Sequence, residues 1–303
     1  LRSVDLYRQG FFVPAALSIS TLTPEGLYRM GTLFLAGDRT ASELKAAVLL
    51  HTECVVSLPQ RGVNHLDLAR RTAQHLELSK RYAQALPDPT ERLTFQKRWH
   101  LVSAYYFYRD LRSTESESLL ASGLQMFPAD PDLLYALGAF REASGTLGAD
   151  PDALREAESI YRTLAESEAN LPELDVRLAH VLLRLGRMDE AEAKLSAADS
   201  DNGDSLAVWM LRGEVASRQG RWRDAGESFA KALKIDGACQ ACAVALAWTF
   251  ERSGQRDTAA RFVAEWLALP APESRDGWWR FLLGPAQRFE VLLTELRSEV
   301  MAP

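Results

Sequence analysis

Apolar and small residues return along this chain at a fixed long interval. Ala157, Ala191, Ala225 and Ala259 stand 34 residues apart, and Gly186, Gly220 and Gly254 repeat at the same spacing, each five residues before an alanine. A glycine and a small residue at fixed places in a period of 34 predict stacked helix-turn-helix units, each burying its apolar face on its neighbour. The register runs without a gap over 172–205, 206–239 and 240–273. Upstream, 131–171 keeps Leu134, Leu137, Gly138, Ala157 and Tyr161 but is seven residues too long. The excess falls at 145–151, in GTLGADP, and reads as an enlarged turn between helices. The unit at 97–130 is weaker: Ala104, Leu120, Leu124 and Pro128 are in place, but Ser116 replaces the column alanine.

The first 96 residues are helical and less regular, an irregular set of N-terminal repeats. Gly10 precedes Ala15 by five residues, and Pro14 falls where a first helical turn tolerates proline. Residues 1–22 therefore read as the end of one helix, a turn and a second helix, so the chain starts inside a repeat and without methionine, as a truncated or processed chain would. Further helices are expected over 24–36, 41–58 and 64–86, bounded by Thr23-Pro24, Gly37-Asp38, Pro59, Gly62 and Pro87-Asp88-Pro89. At the other end, 274–303 carries Trp278, Trp279, Phe281, Leu282 and Leu283, then a Gly284-Pro285 break. A helix follows with Phe289, Leu292, Leu293, Leu296 and Val300 on one face and Arg288, Glu295 and Arg297 toward water. Such a segment is expected to cap the open apolar face of the last repeat. The alternative is that its Trp-Trp-Arg-Phe stretch docks on a partner.

The unit from 206 to 239 is the clearest: Trp209, Gly213, Ala225, Phe229 and Ala232 follow W-x3-G, then A-x3-F-x2-A. This resembles the tetratricopeptide repeat family, with Arg212 where leucine is usual and Gly237 where proline is usual. One period back stand Ala179, Gly186, Ala191, Leu195 and Ala198; one period forward stand Ala247, Gly254, Ala259, Val263 and Trp266. The resemblance implies an all-α, right-handed superhelical solenoid whose first helices line a concave groove that holds an extended peptide or a helix of a partner protein. In this register the inward positions are Arg98, Leu101, Tyr105 and Tyr108, then Asp132, Tyr135, Ala139 and Glu142. Glu173, Val176, His180 and Leu183 follow, then Ala207, Met210, Glu214 and Ser217, and finally Ala241, Val244, Trp248 and Glu251. The groove so read is apolar and aromatic with acidic spots. The lysine and asparagine pattern by which some relatives clamp a C-terminal carboxylate does not occur, so that role is not carried over.

Composition narrows the function further. A formal net charge of -6 supplies no basic field, so nucleic acid is not an expected partner. No apolar run reaches the roughly 18 residues of a membrane span, so no membrane insertion is expected. Cys239 and Cys242 form a C-x-x-C followed by Ala243. No haem histidine, second C-x-x-C or preceding strand accompanies it, so both are expected as free structural thiols. His51 and Cys54 lie one helical turn apart, but two ligands do not make a metal site. His180 reads as a polar groove residue. No G-x-S-x-G, phosphate loop, G-x-G-x-x-G or H-E-x-x-H occurs, so no catalytic, cofactor or metal residue is assigned and no enzymatic activity is expected. Arg184, Arg218 and Arg252 recur at 34 residues, with Arg109 in the same slot of the weak unit. Cations at the ends of first helices complement the helix dipole, by about 0.3–1 kcal/mol each. The functional alternative is a ladder that reads carboxylates on an acidic partner. The expected function is a non-catalytic adaptor or scaffold within a multi-protein assembly. The alternatives are a self-associating structural subunit, or the repeat region of a longer sensor or enzyme.

Overall fold

The computed structural model describes residues 2–57, 65–109, 113–167, 171, 173–202, 205–269, 276–282 and 285–301, all helix and turn with no strand among them. The breaks expected at Pro59, Gly62 and Gly284, together with Leu283 and the side chains of Arg109, Arg288 and Phe289, lie outside the described residues. Two compact units divide the chain, one formed by residues 1–128 with 286–303, the other by residues 129–285.

The second unit holds the regular register. Its helices are α8 (Pro131–Leu147), α9 (Pro151–Glu166), α10 (Leu174–Arg184), α11 (Met188–Asn202), α12 (Leu206–Arg218), α13 (Trp222–Ile235), α14 (Gln240–Arg252), α15 (Arg256–Leu267) and α16 (Gly277–Leu282), numbered along the whole chain. The first eight pack as four successive pairs, and α10, α12 and α14 each also pack on the second helix of the pair before. Each turn within the last three pairs closes the same way, because its glycine takes a left-handed conformation: φ is 82° at Gly186, 74° at Gly220 and 85° at Gly254. That geometry lets Arg187 N donate to Leu182 O (2.9 Å) and Gly186 N to Leu183 O (3.1 Å). These paired bonds satisfy carbonyls that the helix end would leave orphaned.

The column alanines of α9, α11 and α13 sit at the crossings, whereas Ala259, in α15, is only partly buried. Ala157, Ala191 and Ala225 are wholly buried, and an added methyl at Gly213 would come within 2.4 Å of the Phe229 ring, so the two helices touch where the smallest residue stands. Arg212, in the slot where leucine is usual, lies over the Trp209 ring at 4.9 Å. Replacing Ala225 by leucine is expected to overpack its crossing and cost about 1–3 kcal/mol. A thermal melt of Ala225→Leu that matches the parent would contradict this packing.

The long unit corrects one expectation. Its extra residues do not enlarge a loop: α8 runs on through Leu147, and Asp150 caps α9 by accepting from Asp152 N (2.9 Å) and Ala153 N (3.3 Å). Gly145 acts as a close-approach residue inside the helix, because Leu154 occupies the space where its Cβ would be.

The other unit contains α1 (Arg2–Arg8), α2 (Phe12–Ser20), α3 (Pro24–Leu35), α4 (Ala41–Ser57), α5 (His65–Gln84), α6 (Pro89–Arg109), α7 (Ser113–Met126) and α17 (Pro285–Met301). Gly10, with φ 82°, closes α1 onto α2 as the later glycines do. Ser116, in the alanine slot, is buried, and its hydroxyl donates to Ala104 O (2.8 Å). In α17, Leu293 and Leu296 are buried, Arg297 Nε meets Glu53 Oε1 at 2.6 Å, and Glu299 pairs with Arg98. The segment 274–303 is thus divided between the units. Its short helix α16 lies against α12 and α14, while α15 has no buried residue.

Candidate partner-binding surface

The inward positions of α8, α10 and α12 are largely covered. Tyr135, Ala139, Glu142, Val176, His180, Leu183, Ala207, Met210 and Ser217 are buried. In α14, Val244 is 67% exposed and Trp248 46%. Part of the cover is the chain's own α16. The rings of Trp278 and Phe281 stack with centroids 5.2 Å apart, and His180 meets them edge-on at 6.0 and 5.8 Å. Four polar contacts fix the segment: Asp276 accepts from Trp278 N (2.8 Å) and from Ala241 N at the start of α14 (2.9 Å), Asp236 accepts from Gly277 N (3.0 Å), and Arg177 donates to Phe281 O (3.1 Å).

Beneath α16 lies a buried ionic cluster. Arg177 Nη1 and the Tyr161 hydroxyl both donate to Glu142 Oε2, at 3.1 and 2.6 Å, while His180 Nδ1 lies 2.7 Å from Glu142 Oε1. Arg177 Nε donates to the Tyr135 hydroxyl at 2.9 Å. Burial works against ionising Glu142, but the Arg177 guanidinium and the His180 hydrogen bond outweigh it, so the carboxyl is held below its ordinary value. Burial and the adjacent carboxylate push the Tyr161 hydroxyl up, which keeps it a donor. These groups are saturated by one another, and that makes the cluster a rigid floor for the inner face.

The arginine column is engaged within the array. Arg218 Nη1 donates to Leu183 O (2.8 Å), a carbonyl in the last turn of the preceding first helix, and Nη2 meets Glu214 at 2.6 Å. Arg184 lies 3.7 Å from the same carboxylate. Arg252 lies over the rings of Trp222 and Trp248. Each of these cations faces a carbonyl, a carboxylate or a ring from its own unit.

In the other unit, Leu101, Tyr105 and Tyr108 are buried, and Arg98 is paired with Glu299. His51 pairs with His75 of α5, Nδ1 to Nδ1 at 3.0 Å. The Cys54 thiol donates to Ala16 O (3.6 Å), and burial pushes its pKa up. No group of three or more metal-ligating side chains occurs among the described residues.

Cys239 and Cys242 correct the expectation of free thiols, since the structure joins them in a disulfide. Cys239 is the N-cap of α14 and Cys242 lies one turn on, so their Cα atoms are 5.3 Å apart, within bridging range.

The open surface is at the far end of the array. A cleft of about 610 Å³ runs between α14 and α15, lined by Val244, Trp248, Phe262, Val263, Trp266 and Leu267. Trp248 also borders a second cleft of about 340 Å³ with Met210, Glu214 and Trp278. Sequence reasoning missed two residues that shape this face. Arg177, set between Val176 and Leu178 in an otherwise apolar helix face, was legible only as an oddity. Asp276 carried no signal before its contacts were known.

Residues 149–215 match the tetratricopeptide repeat family. Human tetratricopeptide repeat protein 7B is 30% identical over 131 residues, which is 43% of this chain and 15% of that protein, so the match spans a small part of the relative. Among solved structures, PilW, a type IV pilus biogenesis factor, superposes with a TM-score of 0.52 at 15% identity, covering 76% of this chain and 94% of its own. A tetratricopeptide protein of Thermus thermophilus gives a TM-score of 0.48 at 21% identity, covering 65% and 99%. The PilW likeness bears on the fold alone.

Proposed function

We propose that this chain, a tetratricopeptide-type helical repeat protein by its register, fold and family match, is a non-catalytic adaptor. It holds a segment of a partner protein on the inner face of its second unit, within a larger assembly. The observation that carries the reading is the open apolar surface at Val244 and Trp248, which continues into the cleft between α14 and α15. A large exposed apolar patch beside a cleft marks an interaction site. The covered positions from Tyr135 to Met210 support that surface from below. The partner segment then contacts Glu214, Val244, Trp248 and Glu251 directly, and the most suitable occupant is an amphipathic helix or extended stretch with leucine or aromatic anchors. The ladder of Arg184, Arg218 and Arg252 acts within the array and not as the main contact.

Aromatic anchors near the centre of an interface contribute about 2 kcal/mol or more. Trp248→Ala is therefore expected to weaken partner binding at least tenfold. Trp248 contacts Trp222 edge-on at 5.2 Å and is half exposed, so the fold should survive its removal. Affinity capture from native extract with parent and variant side by side tests this. Proteins retained by the parent and lost from the variant support the reading, and identical capture by a folded variant refutes it. The exposed Val263, Leu267 and Leu269 favour self-association as a second reading, which sedimentation equilibrium would reveal as a concentration-dependent rise in mass.

A further inference from the structure

The six residues of α16 are too few to hold a helix by themselves, so the segment keeps its shape because of where it sits. Its seat is specific. Trp278 and Phe281, three residues apart, present their rings to His180, an inward position of α10. Asp276, two residues before Trp278, both caps α16 and accepts from Ala241 N of α14. Arg177 donates to the carbonyl of Phe281. Trp279 is 49% exposed, and on that side only Arg280 reaches back, to Asp236 at 3.7 Å, so one face of the segment carries most of its seat on the array. Arg177 keeps Glu142 and Tyr135 as partners without α16, and removing the segment leaves no unpaired buried charge.

We propose that α16 is an exchangeable occupant of the inner face, and that the partner segment which displaces it carries the same chemistry: an acidic residue followed by two aromatic side chains three residues apart, Asp-x-Trp-x-x-Phe. This rests on the adaptor reading above and names its partner motif. The cleft bounded by Trp278, Trp248, Met210 and Glu214 adjoins the seat, so a partner segment longer than α16 continues from the aromatic pair onto the open surface at Trp248. Being part of the same chain, α16 competes at an effective concentration of order millimolar. A free segment of about 10 µM intrinsic affinity is then held back by roughly a hundredfold in the intact protein.

The test uses a fluorescent peptide of residues 274–283, SRDGWWRFLL, and polarisation titrations against the full chain. Binding to the double variant Trp278→Ala/Phe281→Ala is expected to be saturable and at least tenfold tighter than binding to the parent. The same peptide with alanine at both aromatic positions should bind neither. Circular dichroism checks the fold of the double variant. If it is unfolded, Asp276→Ala replaces it, because that change removes the cap and the Ala241 contact without touching an apolar anchor, and it too should bind more tightly than the parent. Equal binding to parent and variant, or none to a folded variant, overturns the exchange. If either is seen while Trp248→Ala still loses its partner, α16 is a structural brace and the adaptor reading stands.

Discussion

Arg177→Ala is expected to destabilise the second unit by about 3–5 kcal/mol, the usual cost of removing one partner from a buried ion pair. Arg177 is 2% exposed, and its guanidinium serves Glu142, Tyr135 and Phe281 O at once. Without it the Glu142 carboxylate stays buried with only Tyr161 and His180, and its pKa rises. In the parent the folded-state pKa of Glu142 is lowered from 4.5, so its contribution is fully present above about pH 4.5 and is lost as the pH falls through the lowered value. In Arg177→Ala that loss should begin at higher pH. Adding Glu142→Gln should recover part of the stability, because a neutral amide can be buried without the arginine. Denaturant unfolding of the three proteins measures this. An Arg177→Ala midpoint equal to the parent's would show the cluster to be incidental.

A loss of about 3 kcal/mol is expected from the first unit between pH 6.5 and pH 4 from His75 alone, and His51 adds to it in the same direction. Burial lowers both imidazoles: His51 well below 6.5, helped by its neighbour, and His75 to about 4, helped by Arg71. A base whose folded pKa is depressed takes up protons preferentially when unfolded. Stability is therefore full above pH 6.5 and falls as the pH drops toward the folded value. The pairing geometry agrees, since two ring nitrogens 3.0 Å apart need one to accept. His75→Gln should make the stability profile shallower over this range, with the His51 contribution remaining. A parent profile that is flat from pH 7 to 4.5 would contradict the assignment.

The parts of this fold that repeat were legible in the sequence, and the parts that occur once were not. Gly186, Gly220 and Gly254 announced their turns because each takes the same left-handed φ, and Ala191 and Ala225 announced their crossings because only a small side chain fits there. Register also placed the inward positions, but whether an inward residue meets water depends on what covers it. The cover at His180 is a six-residue helix that belongs to no period. The long unit misled for a related reason: Gly145 looked like a turn signal, yet it is a packing glycine beside Leu154. Cys239 and Cys242 misled because free and paired thiols share the same spacing, and only the helix start that brings their Cα atoms together separates the two.

The central claim is that a partner segment lies on the inner face near α14, and site-specific photo-crosslinking tests it most directly. A photo-reactive amino acid replaces Val244, 67% exposed on that face, and in a second protein Arg223, an exposed position of the second helix α13. After irradiation in native extract, a discrete crosslinked adduct from position 244 and none from position 223 is the predicted result. An adduct from position 223 with none from position 244 would contradict it.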